Sequence, residues 1–298
     1  MTLVLAMLLD AFLGEPRWLW SRFPHPAVMM GRLIGWCDET FNTGTQKQLR
    51  GTATLFALVV GAAALGVVIS ALLGAWAEII IAAILLAQRS LVEHVSAVAN
   101  ALRLSVADGR QSVAMIVSRD TSAMNPAAIA RSAIESAAEN LSDGVIAPIF
   151  WFAVAGLPGL LVYKITNTAD SMIGYRTPRH AEFGWAAARF DDLLNLIPAR
   201  LTALLLWAVT NRPHPAGIFR DAPKHRSPNA GWPEAAMAYG LDIALAGPRS
   251  YDGMLRDFPF VNADGEHSLT PDHIDTAVQA LWRAWLACLS VAFLWALL

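Results

Sequence analysis

Three carboxylates near the middle of the chain lie at the spacing of successive helical turns. Glu135, Glu139 and Asp143 stand at i, i+4 and i+8, so a helix would place them along one stripe about 12 Å long. Like charges at this spacing repel, and beside a bilayer the stripe requires a divalent cation, a proton or basic partners. We expect Mg²⁺, which binds one or two carboxylates together with phosphate oxygens. The alternative is a solvated helix face balanced by Arg131.

A second polar constellation follows the next apolar segment. Its members are Lys164, Asn167, Asp170 and Ser171, then Arg176 and Arg179, then Asp191, Asp192 and Asn195. Asn167, Asp170 and Ser171 share one helix face at i, i+3 and i+4. The pattern predicts oxygen ligands that complete a metal–phosphate site. For Asp191 and Asp192 the alternative is that they cap a helix N-terminus, where negative charge is favourable.

A third constellation is a basic, proline-stiffened loop that runs from residue 224 to residue 234. It contains Lys224, His225, Arg226, Asn229 and Trp232. Cations, a histidine and an amide in a stiff loop suit an anion such as phosphate, which an arginine binds bidentately. An ordinary basic surface loop is the alternative. The run Arg119-Asp120-Thr121 is similar in kind and less informative.

The elements that carry these residues belong to a membrane protein. The 298 residues are 55% hydrophobic and only 15% charged, with a mean hydropathy of +0.44, whereas soluble domains average about 25% charged. A net charge of −2 supplies no basic field, which argues against nucleic-acid binding. The two cysteines, Cys37 and Cys288, are far apart, so we interpret them as packing residues.

Uncharged runs predict four or five membrane segments. The strongest run is Gly51 to Ala77, and a break near Gly74 to Glu78 is expected because one straight helix from Gly51 to Gln88 would be roughly 57 Å long. Further uncharged runs cover 144–163 and 284–298, and 193–211 is a span interrupted by Pro198 and Arg200. The apolar N-terminus, residues 1–13, is predicted to be a short membrane-embedded or interfacial helix.

The run Gly144 to Tyr163 raises a question of topology. A full crossing would put Glu139 and Asn167 on opposite sides of the membrane, where they could not share a site. Pro148 and the sequence Gly156-Leu-Pro158-Gly159 break a helix. We therefore predict a re-entrant hairpin here, a backbone form that is tolerated when protein or a water-filled cavity surrounds it.

The fold class predicted is all-α, a polytopic membrane protein with helical polar insertions. The whole chain, 1–298, is interpreted as one integral-membrane domain, with a helical polar insert at 91–143 and a polar loop and helix region at 211–283. Within the insert, Asn125 is predicted to cap a helix that has Pro126 in its first turn. Five prolines between Asn211 and Pro233 predict a long loop there.

Several long motifs resemble one known family. They are Ser118-Arg-Asp-Thr121, Ala133-Ile-Glu-Ser-Ala-Ala-Glu-Asn-Leu-Ser-Asp-Gly144, Lys164-Ile-Thr-Asn-Thr-Ala-Asp-Ser-Met-Ile-Gly174 and His225-Arg-Ser-Pro-Asn-Ala-Gly-Trp-Pro-Glu234. The opening Leu9-Asp10, Gly14-Glu15-Pro16, His25-Pro26 and Gly31-Arg-Leu-Ile-Gly35 are similar too. Together they resemble the adenosylcobinamide-phosphate synthase family of cobalamin biosynthesis, the CobD/CbiB family, over nearly the whole chain. Glu15 departs from the aspartate expected after the glycine and preserves its charge.

The resemblance implies a multi-pass enzyme of the bacterial inner membrane. It would join adenosylcobyric acid, a corrinoid, to (R)-1-amino-2-propanol or its O-phosphate, with ATP and Mg²⁺ and through an acyl phosphate. The chain has no Walker A pattern, so ATP would be held by the carboxylate stripe, Mg²⁺ and the basic loop. Expected partners are the lipid bilayer, a second copy of the chain or other late-pathway membrane enzymes.

The predicted site residues fall into three groups. The catalytic group is Glu135, Glu139, Asp170 and Lys164, and Glu139 or Asp170 would deprotonate the attacking ammonium. The substrate and phosphate group is Arg119, Asn140, Asn167, Ser171, Lys224, His225, Arg226, Asn229 and Trp232. The metal group is Glu135, Glu139, Asp143, Asp170, Asp191 and Asp192.

Two other functional classes stay open on the residues alone. The paired oxygen-rich patches also fit a Mg²⁺-dependent intramembrane prenyltransferase that binds a diphosphate, although the aspartate spacing matches poorly. Charged residues in broken membrane helices fit a non-catalytic transporter or sensor, although no repeat is visible.

Overall fold

Helices make up most of the chain, in agreement with the predicted all-α class. The computed structural model describes residues 1–211, 214–251 and 254–297 and is 73% helical. The helices are α1 (Thr2–Leu13), α2 (Arg17–Trp20), α3 (Pro26–Phe41), α4 (Lys47–Leu85), α5 (Gln88–Leu104), α6 (Val106–Val113), α7 (Pro126–Leu141), α8 (Ala147–Ile173), α9 (Trp185–Leu194), α10 (Leu196–Val209), α11 (Ala216–Asp221), α12 (Gly231–Leu241) and α13 (Pro271–Trp295).

Short strands occur between α12 and α13. They are β1 (Leu245–Ala246), β2 (Arg249–Tyr251), β3 (Met254–Arg256) and β4 (Phe260–Val261). β1 pairs with β4 and β2 pairs with β3, both antiparallel. These ladders are too short to form a layer of their own, so they act as turns that place side chains.

The chain divides into two compact units. The first unit is Met1–Ala87, Ala147–Leu196 and Ala292–Leu298, and the second unit is Gln88–Ile146 and Ile197–Val291. The predicted polar regions, 91–143 and 211–283, both fall within the second unit. Each unit is described by itself below.

The described chain has three candidate membrane-spanning helices, or four with one broken pair, against the four or five predicted. By length and composition, three helical stretches of the described chain can cross a bilayer, namely Lys47–Leu104, Pro126–Ile173 and Pro271–Trp295. The broken pair α9 and α10 makes a fourth if it is counted as one span. A polytopic membrane protein is therefore confirmed as the fold class.

Within the first unit, α4 bends at Gly74, inside the predicted interval. Gly74 has φ 67° and ψ −162°, a backbone conformation that costs glycine little and residues with a Cβ much more. Ala62 and Ile69 before the break, and Ala82 and Leu85 after it, pack on one buried cluster. The break therefore folds both halves of α4 onto the same core.

The helix α8, also in the first unit, folds back on itself at Gly156, which has φ 60° and ψ −154°. A Cβ on Gly159 would lie 2.5 Å from the carbonyl oxygen of Trp151. Ala147 and Tyr163 share one buried cluster, whereas in a straight helix they would be about 24 Å apart. The predicted hairpin is thus present in the backbone.

Glycines on α4 receive the hairpin. A Cβ on Gly66 would lie 2.6 Å from the Cα of Pro158, and one on Gly51 would overlap the carbonyl oxygen of Phe183. Ile165, Ala169 and Ile173 of α8 share a buried cluster with Leu55 of α4, so the second half of α8 runs beside α4 from Gly66 toward Leu55, over about 16 Å. The tip of the hairpin meets α4 well inside its length.

In the second unit, α7 begins as the sequence predicts. The side chain of Asn125 accepts a hydrogen bond from the backbone N–H of Ala128 at 2.8 Å, and Pro126 lies in the first turn. A π-helical turn, Ser142–Ile146, follows α7. Asp143 lies in this turn, whereas Glu135 and Glu139 lie on α7, so the predicted stripe of three carboxylates stays a prediction at its third member.

Of the stretch 211–233, the part that the structure describes is more ordered than the predicted long loop. It contains α11, a 3₁₀ turn at Ala222–Lys224 and the first residues of α12. Pro215 precedes α11, and Pro223 and Pro233 lie in first turns, where a missing N–H removes no helical hydrogen bond. Pro213 lies outside the described residues.

Candidate active site

Glu135, on α7 in the second unit, is a buried carboxylate held by two arginines. It is 1% exposed, and its Oε2 lies 2.8 Å from Arg119 Nη2 and 3.3 Å from Arg249 Nη2. Its Oε1 accepts the backbone N–H of Ala246 at 2.8 Å. Arg131 donates to the carbonyls of Ala244 and His267 instead. Arg119 and Arg249 therefore supply the balancing charge that the sequence alternative assigned to Arg131.

Two more carboxylates lie near Glu135 and its two arginines. They are Glu139 on α7 and Glu234 on α12. Glu139, His225 and Glu234 each offer one ligand atom, and these three atoms lie within 4.8 Å of one another. Glu234 is fully buried, and neither of its oxygens has a hydrogen-bond partner among the described residues. An ionised carboxylate in this state is costly unless a cation or a proton joins it.

The charges around Glu234 also favour a proton or a cation at its carboxylate. Burial first, and then the neighbouring charges of Glu135 and Glu139, raise the pKa of the Glu234 carboxyl well above its usual range. Arg249 Nη2, at 3.6 Å from Glu234 Oε1, and Arg119 offset this only in part. The three glutamates of the cluster outnumber its two arginines, an arrangement that favours the binding of a cation.

His225 faces both unsatisfied carboxylates with a fixed tautomer. Its Nδ1 accepts the backbone N–H of Ser227 at 3.1 Å, so the neutral ring carries its proton on Nε2. That nitrogen lies 3.8 Å from Glu139 Oε1 and 3.8 Å from Glu234 Oε2. Burial and the charge of Arg249 lower the pKa of His225, which keeps the ring neutral. His225 therefore points a donor at the carboxylates, which leaves the carboxylate oxygens as the candidate ligands for a cation.

The rest of the predicted basic loop is held from several sides. Lys224 Nζ donates to Asp221 Oδ1 at 2.7 Å, and Arg200 Nη1 donates to Asn229 Oδ1 at 2.8 Å. The guanidinium of Arg200 also lies 4.9 Å from the Trp232 ring. Asn229 and Trp232 thus have structural partners, and Lys224 is neutralised by a carboxylate.

Asp221 anchors this loop. Burial alone would raise its pKa, but hydrogen bonds from Lys224, the backbone N–H of Asn262, Tyr239 and Arg220 prevail and lower the pKa to about 2. The Tyr239 hydroxyl donates to Oδ2 at 2.8 Å and the Asn262 N–H at 3.0 Å. One carboxylate thus joins α11, α12 and β4 behind the loop.

The first unit contains the other acidic cluster, at the end of α9 and on α8. Asp191 is buried and accepts hydrogen bonds from Asn167 Nδ2 at 3.2 Å and Asn195 Nδ2 at 3.0 Å. The hydroxyl of Tyr163 donates to Asn195 Oδ1 at 3.0 Å. Amides rather than guanidinium groups therefore satisfy the buried carboxylate here.

The position of this pair overturns the capping alternative for α9. Asp191 and Asp192 lie in the last turn of α9, which ends at Leu194. The helix dipole disfavours negative charge at that end. Arg189 lies 3.9 Å from Asp192 on the same helix, and Arg179 pairs with Asp38 at 2.6 Å.

The remaining predicted residues differ in how far they are buried. Asn140 is exposed and donates to the Ser136 carbonyl on its own helix at 2.9 Å. Ser171 is exposed, and Asp143, Lys164 and Asp170 are half-buried. Asp170 belongs to the first unit and Glu139 to the second, and a site shared by the two stays a prediction.

Sequence reasoning missed two residues of the second-unit cluster. Glu234 ends the motif that starts at His225, but nothing in the sequence signals that it is buried beside Glu139. Arg249 stands on β2, outside every motif, and only the fold brings it to Glu135.

Comparisons with known proteins converge on one family. The family model described as CobD/Cbib protein matches residues 3–281. Proteins named Cobalamin biosynthesis protein CobD are 48% identical in Rhizobium meliloti, over 95% of this chain and 92% of the relative, and 47% identical in Brucella suis biovar 1, over 94% and 91%. The relative of that name in Rhodobacter capsulatus is 46% identical over 87% and 86%. No solved structure matches the chain.

Proposed function

The chain belongs to the CobD/CbiB family of cobalamin biosynthesis proteins, and we propose that it is a membrane-bound amide-forming synthase. Its substrates are adenosylcobyric acid and (R)-1-amino-2-propanol or the O-phosphate of that amine. The corrinoid carboxylate, the ammonium group and ATP yield the amide, ADP, phosphate and a proton. The product is adenosylcobinamide or its phosphate.

The observation that carries this proposal is the state of Glu234. Its two buried oxygens have no hydrogen-bond partner among the described residues, and Glu139 lies beside it. Oxygen ligands without a protein partner fit Mg²⁺, which accepts one or two carboxylates and completes its shell with water and phosphate oxygens. Glu139 and Glu234 would hold the ion, which would supply charge neutralisation for a transferring phosphoryl group.

The other residues of the cluster have separate tasks. Arg119 and Arg249 neutralise Glu135, so this carboxylate fixes the two guanidinium groups and is not itself a cation ligand. Glu139 offers one oxygen to the ion, and its other oxygen is the proton acceptor for the ammonium group, because the side chain is 35% exposed at the edge of the cluster. The amine must lose its proton before its lone pair can attack an activated carboxyl.

The cellular setting follows from the helices. The apolar spans support the inner membrane of a bacterium as the location, with the corrinoid reaching the second unit from water. A second copy of the chain or another enzyme of the pathway is the expected partner.

A condensation assay tests the proposal. The purified chain in detergent receives adenosylcobyric acid, ATP, Mg²⁺ and either aminopropanol or its O-phosphate, and the corrinoid product is identified by mass. We expect a product that requires all four components and appears with equimolar ADP. Folded protein that yields no amide with either amine would contradict the synthase reaction.

Metal binding is tested without turnover. Mn²⁺ replaces Mg²⁺ as the probe, and its binding is followed by electron paramagnetic resonance in the wild type and in Glu234→Gln. We expect the variant to bind at least tenfold more weakly, since even the loss of an outer-shell partner of a metal ligand costs about 10–100-fold in affinity. Glu93→Gln, which changes an exposed carboxylate on α5, is the control and should bind Mn²⁺ as the wild type does.

A further inference from the structure

The three basic residues of the loop 224–226 differ in their charge and in their partners. Lys224 is paired with Asp221 at 2.7 Å. His225 is neutral and directs Nε2 toward Glu139 and Glu234. Arg226 is exposed, and among the described residues no carboxylate lies within 4.0 Å of it. The positive charge that this loop offers to a ligand is therefore the charge of Arg226.

An aromatic ring holds Arg226 in place. The guanidinium carbon of Arg226 lies 4.6 Å from the centre of the Phe258 ring, and that of Arg249 lies 5.5 Å from the same ring. Contact with an aromatic face orients a guanidinium and leaves its N–H groups available. Because Arg249 also contacts Glu135 and Glu234, Phe258 places Arg226 beside the acidic cluster.

The backbone around Arg226 is ordered before any ligand binds. The Oγ of Ser227 accepts the N–H groups of Asn229 at 3.2 Å and Ala230 at 3.3 Å. Arg200 donates to the Pro228 carbonyl at 3.1 Å, and a Cβ on Gly231 would overlap the Ala222 carbonyl oxygen. A loop fixed in this way loses little conformational entropy on binding.

We propose that Arg226, seated on Phe258, is the residue that binds the phosphate group of a co-substrate. This inference rests on the proposed function for the identity of the co-substrate. The ligand chemistry is a phosphate monoester or a phosphoanhydride, and it has two sources, the O-phosphate of aminopropanol and the polyphosphate of ATP. Arginine binds either one through two parallel hydrogen bonds.

Binding of inorganic pyrophosphate, measured by calorimetry in detergent, tests the site without turnover. Arg226→Gln should weaken binding by about tenfold or more, the usual loss for a hydrogen bond to a charged group. Arg226→Lys should weaken it less, because the charge remains while the two-pronged geometry is lost. Phe258→Leu should also weaken binding, and Arg89→Gln, an exposed surface arginine in the same unit, should not.

Steady-state kinetics distinguishes the two sources. A rise in KM for aminopropanol O-phosphate alone in Arg226→Gln, with KM for free aminopropanol unchanged, identifies the amine as the source. A rise in KM for ATP with both amines identifies the nucleotide. Pyrophosphate binding that is equal in Arg226→Gln and wild type, or absent from wild type, overturns the inference. Pyrophosphate binding that depends on Arg226 without any amide product would instead overturn the proposed function alone.

Discussion

The two acidic clusters satisfy their buried carboxylates in opposite ways. In the first unit, Asp191 accepts from the neutral amides of Asn167 and Asn195. In the second unit, Glu135 accepts from two guanidinium groups, and Glu234 has no hydrogen-bond partner among the described residues. Amides complete the shell of a carboxylate and leave its net charge in place, whereas the second unit combines excess carboxylates with cations.

The difference distinguishes a carboxylate that supports the fold from one that can bind a ligand. A buried carboxylate that is fully hydrogen-bonded is a structural element, and the same group without partners costs free energy that a ligand can recover. Glu234 is in the second state, and its cost is the reason to place the reaction in the second unit. Four substitutions test this contrast, from the largest expected effect to the smallest.

Glu234→Gln should abolish most condensation activity. We expect turnover to fall by about 10²–10⁴-fold, the range for losing a group that acts at the reacting centre. The folded variant should be at least as stable as the wild type in the absence of Mg²⁺. The reason is that a carboxyl group whose folded-state pKa is raised by burial lowers stability as the pH rises above its ordinary pKa, and this loss is complete above the raised pKa. Wild-type turnover would remove Glu234 from the site.

Arg119→Met should give the largest loss of stability. Glu135 would keep Arg249 and the Ala246 N–H but lose its 2.8 Å ion pair, and breaking a buried pair costs about 3–5 kcal/mol. Denaturation in detergent measures the free energy of unfolding. The double variant with Glu135→Gln should recover part of the loss, and equal losses in the single and double variants would show that Arg119 acts elsewhere.

Asp221→Asn should lower the free energy of unfolding on the order of 2 kcal/mol at neutral pH, from its pKa of about 2 against an ordinary 3.8. Because the folded-state pKa is lowered, the stabilisation is complete above the ordinary value and is lost as the pH falls toward about 2. The wild-type and variant curves should therefore converge in acid. Parallel curves over that interval would refute the assignment.

Asp191→Asn should have the smallest effect. The new amide fills the same space between Asn167 and Asn195, so we expect a change within about 1 kcal/mol in unfolding. Turnover should stay within tenfold of the wild type, since the proposed reaction uses Glu139 and Glu234. A loss as large as that of Glu234→Gln would bring the first-unit cluster into the chemistry.

The sequence predicted the helix breaks and one helix start well. Gly74 and Gly156 lie where uninterrupted helices would be too long or would contain a proline next to glycine, and Asn125-Pro126 is a local signal that needs no tertiary context. His225 was predicted in the loop and lies at the cluster. Local chemistry decides such features, so local reading finds them.

Other features depend on packing between distant segments. The π-helical turn after Leu141 interrupts the regular helical spacing on which the predicted stripe rests, and no residue type in the sequence signals it. Arg249 and Glu234 meet Glu135 only because β2 and α12 fold against α7. Asp191 and Asp192 lie in the last turn of α9 and not at its start. The ends of helices are the features that a sequence pattern predicts least accurately.

The fold-back of α8 at Gly156 has a consequence for membrane insertion. A segment whose two ends meet at Ala147 and Tyr163 contributes an even number of boundary crossings, so it leaves the inside–outside parity of the chain unchanged. Its short first arm cannot be released into lipid alone, because the turn at the tip would leave polar backbone exposed there. Because α4 precedes α8 in the chain, it is already present to receive the two arms, with Gly66 against Pro158, when they are made.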